Sequence, residues 1–382
     1  MKKSIQSSLS IEQLNGFRLV EHFRKILKKK IALRPAESID ATEQDSRRKL
    51  SCENYFTLLF FALHNPVIKS MRSVVQASDF QKVRDELEVD HVSLGSFSEA
   101  QHVFDPDLLR EVISDLSSKV QIQSKHSDER LKTFIDSLVA VDGTLFDALP
   151  RMCWAAYRTQ STNNKVKVHL LYEPLRGGID NLAITPGNEC ERKAFKKLIK
   201  PGKLYVGDRY YGLDYDYFKC LEEKKADFIF RIRNDALYEV IDSHTVSPLA
   251  QAYGVITDQS ICFNKDVTDH TWRLVCIQRE RKQFLLLTNR MDIDADIIGM
   301  LFRNRWEIEL FFKWLKCILK CRHFLLESPK GVAAQIYTAL ILALMLTAAT
   351  GKKPTKRQME AIQLHQMGYV CDGELEKILI GN

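Results

Sequence analysis

The amino-acid sequence predicts an α/β protein in which helices flank a mixed sheet, with an inserted β subdomain and an all-helical N-terminal domain. Three observations lead to this prediction. Residues 1 to about 130 have helical periodicity with almost no strand-like alternation. Residues 131–235 then contain three strands, a helix, a strand, a helix and a strand, in that order. Short alternating strands follow from Tyr238 to Ile277, before a buried strand and a long helix.

The composition is that of an ordinary folded protein with a moderate excess of positive charge. The 382 residues are 45% hydrophobic and 27% charged, which suits two or three domains. Lys and Arg number 56 against 49 Asp and Glu, and this net charge of +7 favours polyanionic partners. Nine cysteines without a CxxC pair exclude a zinc ribbon. The two N-terminal lysines are not followed by an apolar run, so we expect a protein that stays in the reducing cytosol.

The helical region carries recognisable helix start signals. Ser51 is placed to cap the apolar helix YFTLLFFALHN, and amphipathic segments run from Ser78 to Leu87 and from Pro106 to Val120. Between those segments, Gly95 indicates a turn before a short helix. Ser96 or Ser98 is expected to cap this helix, which would display Glu99, Gln101 and His102.

Two features of the helical region could contact DNA, and each has a structural alternative. The short helix could be the second half of a helix-turn-helix, although the same arrangement is common in any helical bundle. The basic run RKILKKK, from Arg24 to Lys30, fits a phosphate-contacting surface or a solvated helix face.

Two aspartates are predicted at the ends of buried strands. The strand SLVAVDGTLF is expected to end at Asp142, where Gly143 breaks the run, and the strand KLYVGDRYYG stops at Asp208. In open α/β sheets, groups at strand ends cluster at one edge that a ligand can reach. Alternatively, each aspartate caps the turn that follows it.

A third acid lies within a basic stripe on a predicted helix from Asn304 to Lys316. Helical geometry brings Arg305, Glu309 and Lys316 within roughly 40° of one another, with Lys313 close by. Alone, this pattern is also that of a solvated charge ladder at i±4 spacing. The opposite face is apolar and is formed by Ile308, Phe311, Trp314, Leu315 and Ile318.

Together, Asp142, Asp208 and Glu309 predict a site for two Mg²⁺ ions, because hard cations prefer oxygen ligands. Two metals roughly 4 Å apart can activate an attacking oxygen and stabilise a leaving oxygen at phosphorus. Arg305, Lys313 and Lys316 are predicted to line the path of a DNA backbone beside them. This combination predicts nuclease or strand-transfer chemistry.

Two further patterns have structural explanations. The segment Ala333 to Thr350 comes close to membrane-spanning length, but its polar residues and many alanines favour a buried helix that ends at Gly351. Cys317, Cys321 and His323 lie close in sequence, but three ligands on one helix are weak evidence for a metal site.

These motifs resemble those of the insertion-sequence-4 (IS4) family of DDE transposases. That family carries a Tyr-x2-Arg-x3-Glu-x6-Lys motif, which appears here as Phe302, Arg305, Glu309 and Lys316 with its spacing kept. The stretches VDGT and GDRYYG match the contexts of the family's two aspartates. The similarity covers about residues 131 to 350. One residue departs from the motif: the tyrosine, which is associated with a DNA phosphate contact, is Phe302.

The resemblance implies an RNase H-like catalytic core and a Mg²⁺-dependent reaction, with Mn²⁺ able to substitute. Cleavage at the ends of a mobile element would free a 3′ hydroxyl that attacks target DNA. The implied partners are double-stranded DNA, both terminal inverted repeats and target, and a second copy of the chain in a synaptic dimer, with no membrane. The implied location is the cytoplasm, in association with the nucleoid. The predicted division is a helical DNA-end-binding domain (1–130), the first catalytic part (131–235), a β insertion (236–282), the second catalytic part (283–350) and a tail (351–382).

Two alternatives stay open from the sequence alone. One is a DNA-binding protein derived from such an enzyme, in which the three acids are relics. The other is a membrane-anchored protein that uses Ala333 to Thr350.

Overall fold

A computed structural model describes residues 16–35, 37, 39, 41–122, 128–157, 164–263, 270–319 and 324–380. The chain forms two compact units. The helical unit consists of Met1–Gln123, Leu145–Val166 and Phe312–Asn382, and the sheet unit consists of Ser124–Thr144 and Lys167–Phe311. The five-part domain division drawn from the sequence stays a prediction.

The α-helices of the described residues fall into the two units, with the last helix of the sheet unit continuing into the helical unit. The helical unit contains α1 Gly16–Ala32, α2 Cys52–His64, α3 Met71–Asp79, α4 Gln81–Leu87, α5 Leu94–Val103, α6 Asp107–Lys119, α12 Pro329–Thr350, α13 Lys356–Gln366 and α14 Asp372–Ile380. The sheet unit contains α7 Glu191–Leu198, α8 Tyr215–Glu223, α9 Pro248–Tyr253, α10 Ala295–Arg303 and the start of α11 Trp306–Ile318.

Nine strands of the described residues form one sheet in the order β3-β2-β1-β4-β5-β9-β8-β7-β6. Their bounds are β1 Leu138–Asp147, β2 Lys165–Glu173, β3 Gly178–Pro186, β4 Leu204–Gly207, β5 Asp227–Arg231, β6 Tyr238–Ser243, β7 Val255–Phe263, β8 Trp272–Arg279 and β9 Lys282–Thr288.

The sheet is mixed, which confirms the predicted fold class. Strand β4 pairs in parallel with β1 and with β5, and β5 pairs with β9 in the antiparallel sense. The remaining strands β8, β7 and β6 continue from β9 as antiparallel neighbours. The predicted order of three strands, a helix, a strand, a helix and a strand is also confirmed by β1 to β5 with α7 and α8.

Helix α12 is the core helix of the helical unit. Ser328 caps its start by accepting from the Gly331 amide, and Gly351 ends it in a left-handed conformation with φ of 62°. The helix is apolar enough and long enough to cross a membrane, but 83% of its most apolar 18-residue window is buried inside the protein. It packs against α2, α5 and α6. This burial confirms the buried-helix interpretation.

The predicted helix starts are partly right. Ser51 caps α2, accepting from the Asn54 amide at 3.1 Å, as expected. The segment from Ser78 to Leu87 is wrong as one helix, because the chain is extended at Phe80 between α3 and α4. The cap at Ser96 or Ser98 is also wrong: Ser93 caps α5 by accepting from the Ser96 amide, so the helix begins earlier and includes Gly95.

The strand predictions after Tyr238 need two corrections. The segments predicted as VITD and SICFN are joined in the single strand β7, which ends at Phe263 and pairs with β8 from Val255 to Ile261 apart from a bulge near Val255. Helix α9 was not predicted, although its sequence carries the signals of a short helix. Ser247 caps it, Pro248 occupies its first turn, and Gly254 ends it with φ of 103°.

A buried ion pair joins the antiparallel strands to the chain that leads into α10. The Arg273 guanidinium on β8 donates to both oxygens of Asp258 on β7, at 2.8 and 2.7 Å. It also donates to the carbonyls of Met291 at 3.1 Å and Ile293 at 2.6 Å. Both charged side chains are at most 8% exposed, so Arg273 is the partner that neutralises Asp258 and satisfies the loop carbonyls.

We expect Arg273→Met to lower the free energy of unfolding by about 3 to 5 kcal/mol, because it leaves the Asp258 charge and the Ile293 carbonyl buried without their partner. Denaturant unfolding checks this. Arg281→Met, at an exposed position in the turn between β8 and β9, is the control and should change stability by about 0.5 kcal/mol or less. A loss as small for Arg273→Met would contradict the assignment.

Candidate functional site

The parallel pairing of β1 and β4 places Asp142 and Asp208 side by side. Ala140 pairs with Val206, and each aspartate lies two residues beyond its member of that pair. Parallel neighbours about 4.8 Å apart therefore direct both carboxylates to the same side of the sheet at the same level. Asp208 directly follows β4, as predicted.

Asp142 is not at a strand end, which corrects the prediction. Strand β1 continues through Gly143 to Asp147. Gly143 allows a close approach of Glu191, since a Cβ there would lie 2.8 Å from the Glu191 Cδ and that side chain would have to shift. Gly143 therefore does not end the strand. It is the position at which the Glu191 side chain packs against the backbone of β1.

Glu191 is a third acid beside the two aspartates, and sequence analysis missed it. It is the first residue of α7, and Lys167 Nζ lies 3.4 Å from its Oε1. Its charge and that of Asp208 both act on Asp142. The only sequence signal was a glycine directly after a strand aspartate, which does not identify the residue that fills the space.

The Asp142 carboxyl is held in an environment that opposes its ionisation. Burial is the largest cause, and the negative charges of Asp208 and Glu191 add to it. The Gly143 amide, which donates to Oδ1 at 2.8 Å, and the Arg305 charge act in the opposite direction. The result raises the pKa of Asp142 to about 7 from an ordinary 3.8. A bound cation would remove this penalty.

Glu309 is engaged by an arginine and does not join the aspartates. Arg305 Nη1 lies 2.7 Å from Glu309 Oε1, and the two side chains are 16% and 29% exposed. Among the described residues, no group of three or more His, Cys, Asp or Glu side chains has the geometry to hold a metal ion. The positive charge of Arg305 also favours ionisation of Asp142. One guanidinium group therefore interacts with both Glu309 and Asp142.

The predicted helix from Asn304 to Lys316 is wrong at its start. Helix α10 ends at Arg303, and α11 begins at Trp306, so Arg305 lies in the turn between them. Asn304 stabilises the break by donating from Nδ2 to the Met300 carbonyl at 2.9 Å. The apolar face of α11 is buried as predicted, at Ile308, Phe311, Trp314, Leu315 and Ile318.

Several guanidinium groups lie close to Asp208. Burial and the charges of Arg209 and Arg305 lower the pKa of Arg231, while Asp208 opposes them. Arg231 stacks 4.7 Å from the Phe284 ring centroid, and its buried Nε has no hydrogen-bond partner. Arg305 lies 5.8 Å from the Phe302 ring centroid, and its Nε is likewise buried and unpartnered.

A cavity of about 1060 Å³ adjoins these residues in the sheet unit. Phe302, Arg305 and Trp306 line one part of it, and Trp306 is 50% exposed. Arg279 lies 4.0 Å from the ring centroid of Tyr253, and both contribute to the lining. The lining thus combines aromatic rings with guanidinium groups, which suits stacked bases and phosphates.

The other predicted DNA contacts lie in the helical unit. Lys313 is exposed, and Lys316 is half-buried with its Nζ 5.8 Å from the Phe146 ring centroid.

Two other interpretations can be compared with the structure. Gln101 does not display its side chain for DNA reading, because its Oε1 accepts from the amides of Glu327 at 2.9 Å and Ser328 at 3.0 Å. Cys317 is an exposed free thiol, whereas Cys321 and His323 lie outside the described residues.

Comparison with known proteins identifies the domain type. Residues 133–346 match the family model of the transposase DDE domain. Such a domain implies the RNase H-like fold, in agreement with the observed mixed sheet and its helices.

Three relatives are described as transposases. The chain is 26% identical over 54% of its length to one from Sinorhizobium fredii, and this match spans 60% of that relative. It is 23% identical over 79% of its length to the transposase of insertion sequence element IS4SA of Synechocystis, spanning 85% of it. It is 22% identical over 63% of its length to that of element IS5377 of Geobacillus stearothermophilus, spanning 63% of it.

In metal-free protein, the raised Asp142 pKa makes folding less favourable as pH rises. The folded state holds the proton up to about pH 7, whereas the unfolded state releases it near 3.8. The loss of folding stability that comes from ionising Asp142 is therefore absent below pH 3.8 and complete above about pH 7. We expect Asp142→Asn to raise the free energy of unfolding by a few kcal/mol at high pH, with little effect at low pH.

Denaturant unfolding in a chelator, on both sides of the window, measures this. Asp242→Asn, at an exposed acid of β6, is the control and should not distinguish the two pH values. An equal effect of Asp142→Asn at both would show that the carboxyl ionises normally.

Proposed function

The chain belongs to the DDE transposase family, and on that basis we propose that it is the transposase of an insertion sequence. It would cleave the ends of its element and join them to target DNA in cut-and-paste transposition. In the first reaction, water attacks phosphorus, the bond to the 3′ oxygen breaks, and a 3′ hydroxyl is released. In the second, that hydroxyl attacks a phosphorus of the target strand and displaces its 3′ oxygen.

The observation that carries this proposal is the pairing of two carboxylates beside several guanidinium groups. Asp142 on β1 and Asp208 directly after β4 each lie two residues beyond the paired residues Ala140 and Val206 of these adjacent parallel strands. Arg209, Arg231 and Arg305 lie close enough to influence one another or these acids. Acids that can hold cations next to donors that can hold phosphate are what phosphoryl transfer requires.

The acids fit divalent metal ions by their donor chemistry. Asp142, Asp208 and Glu309 would hold two Mg²⁺, or Mn²⁺ in its place, because all supply hard oxygen ligands. The partly buried carboxyl of Asp142, whose ionisation is opposed by burial and by the charges of Asp208 and Glu191, is the group that a cation would stabilise most. The metals would activate the attacking oxygen and stabilise the leaving oxygen.

Glu309 can join the two aspartates only when Arg305 releases it. The ion pair at 2.7 Å holds Oε1 of the carboxylate that the metal would need and fixes the side chain beside Arg305. A DNA phosphate offers the guanidinium a replacement partner, preferably bidentate. Arg305 would thus exchange Glu309 for DNA, and the freed glutamate would complete the acidic set.

The DNA backbone would follow the basic side chains of the family motif. Arg305 and Lys316 would contact the terminal nucleotides, Lys313 would contact a phosphate nearby, and Phe302 would pack without the hydrogen bond of the family tyrosine. The terminal inverted repeats and the target are the proposed DNA partners. A second copy of the chain would complete the synaptic complex, in the cytoplasm and in association with the nucleoid.

The second candidate is a DNA-binding protein without catalysis. The pairing of Glu309 with Arg305, and its absence from any acidic cluster among the described residues, favours this alternative. In such a protein the basic surfaces would still bind DNA, and the acids would have no catalytic role.

Substitution of each acid separates the two candidates. We expect Asp142→Ala, Asp208→Ala and Glu309→Ala each to reduce divalent-dependent cleavage of DNA carrying the flanking repeats by about a thousandfold or more, because each removes a metal ligand. Binding to the same DNA should persist. Gel analysis of cleavage products measures the first, and fluorescence anisotropy the second.

The matched control is Asp242→Ala, since that acid is exposed in the same unit. It should cleave like the parent. Parental cleavage by all three acid variants would eliminate the proposed site, and a parent that binds but never cleaves would support the second candidate.

We expect Phe302→Tyr to tighten binding to end DNA by about fivefold, because one restored phosphate hydrogen bond contributes about 1 kcal/mol. Anisotropy titration measures the affinity. Phe302→Leu, which lacks the hydroxyl, should not gain. If both variants bind alike, the position has no phosphate partner.

A further inference from the structure

The outer face of α7 is strongly positive. Its eight residues, ERKAFKKL, contain four bases and one acid. The inner face is fixed by buried Ala194, Phe195 and Leu198. The acid, Glu191, is turned toward Gly143 and Lys167, so the charge left on the exposed side is positive only.

Two of the four bases have partners within the protein. Arg192 Nη1 lies 3.3 Å from Asp214 Oδ2, and its guanidinium lies 5.2 Å from the Tyr210 ring centroid. Lys196 Nζ lies 5.6 Å from the Tyr217 ring centroid. These contacts explain both residues as part of the packing between α7 and the chain around α8.

Lys193 and Lys197 are different. Both are exposed, and no carboxylate of the described residues pairs with either ammonium group. Lys193 lies in the first turn, where the helix dipole disfavours a positive charge. Neither intrahelical pairing nor the dipole therefore accounts for Lys193, and its position favours an external anion.

The spacing and location of this pair identify the kind of anion. Residues at i and i+4 share one helix face and are about 6 Å apart along the axis, which is comparable with the spacing of neighbouring phosphates along a DNA strand. The face begins two residues after Glu191, whose side chain lies against the residue that follows Asp142. A phosphate chain held there would run from the proposed catalytic acids along α7.

We propose that Lys193 and Lys197 form a binding surface for the backbone of target DNA. This inference rests on the proposed function. Lysine ammonium groups are point charges that hold phosphate without reading base edges. The element ends must be recognised by sequence, whereas a target duplex can be held through its backbone alone. The surface therefore suits the target.

The test measures binding of the full chain to a duplex of arbitrary sequence, in a chelator, by anisotropy across a range of salt concentrations. We expect K193Q/K197Q to weaken binding roughly tenfold and to reduce the slope of log affinity against log salt by about two. K193R/K197R should bind like the parent, because it keeps both charges. The control R281Q/K282Q removes two exposed charges elsewhere in the sheet unit and should leave affinity and slope unchanged.

Parental affinity and slope for K193Q/K197Q would overturn the proposal. So would a loss confined to a duplex carrying the repeat that flanks the gene, because the surface would then belong to the element end. Unchanged circular dichroism shows that α7 is folded in each variant. The test measures binding and not cleavage, so its outcome is independent of catalysis. A chain that does not cut DNA can still confirm the binding surface, and a chain that cuts DNA can still refute it.

Discussion

The parallel register between β1 and β4 is the constraint on which the proposed site depends. Once Ala140 pairs with Val206, the aspartates two residues further along must lie side by side. The negative charge of Asp208 and the burial of Asp142 both oppose ionisation of the Asp142 carboxyl. Positive charge at this edge of the sheet therefore stabilises the ionised carboxylates. The arginine Arg305 supplies such charge in the structure, and a bound cation would supply more.

Sequence analysis could predict the parts of this arrangement that local pattern controls. Asp208 follows a short buried strand, as predicted, and the apolar face of α11 was identified from its period alone. Asp142 was correctly placed on the first strand of the sheet but wrongly placed at the end of that strand. The reason is that Gly143 makes room for the Glu191 side chain and does not end the strand. Glu191 is distant in the chain, so the sequence does not reveal this contact.

The motif around Glu309 illustrates a different limit. Its spacing was read as one helix, because both sides of the break have helical periodicity. The chain instead turns at Asn304 and Arg305, where a side-chain amide closes the end of α10. Conserving residue spacing along a chain does not require one continuous helix. The turn gives Arg305 a position from which it can pair with Glu309 and also influence Asp142.

This position of Arg305 connects the proposed ligands to each other. Without ligands, its guanidinium offsets negative charge on both Glu309 and Asp142. On the proposed function, a phosphate that engages Arg305 withdraws that positive charge from the acids, and a divalent cation is then the group that can restore the balance. Cation binding in turn reduces the hold of the acids on Arg305 and leaves it free for phosphate. By linkage, DNA and metal would each favour binding of the other, so the acidic set would be completed where its substrate is present.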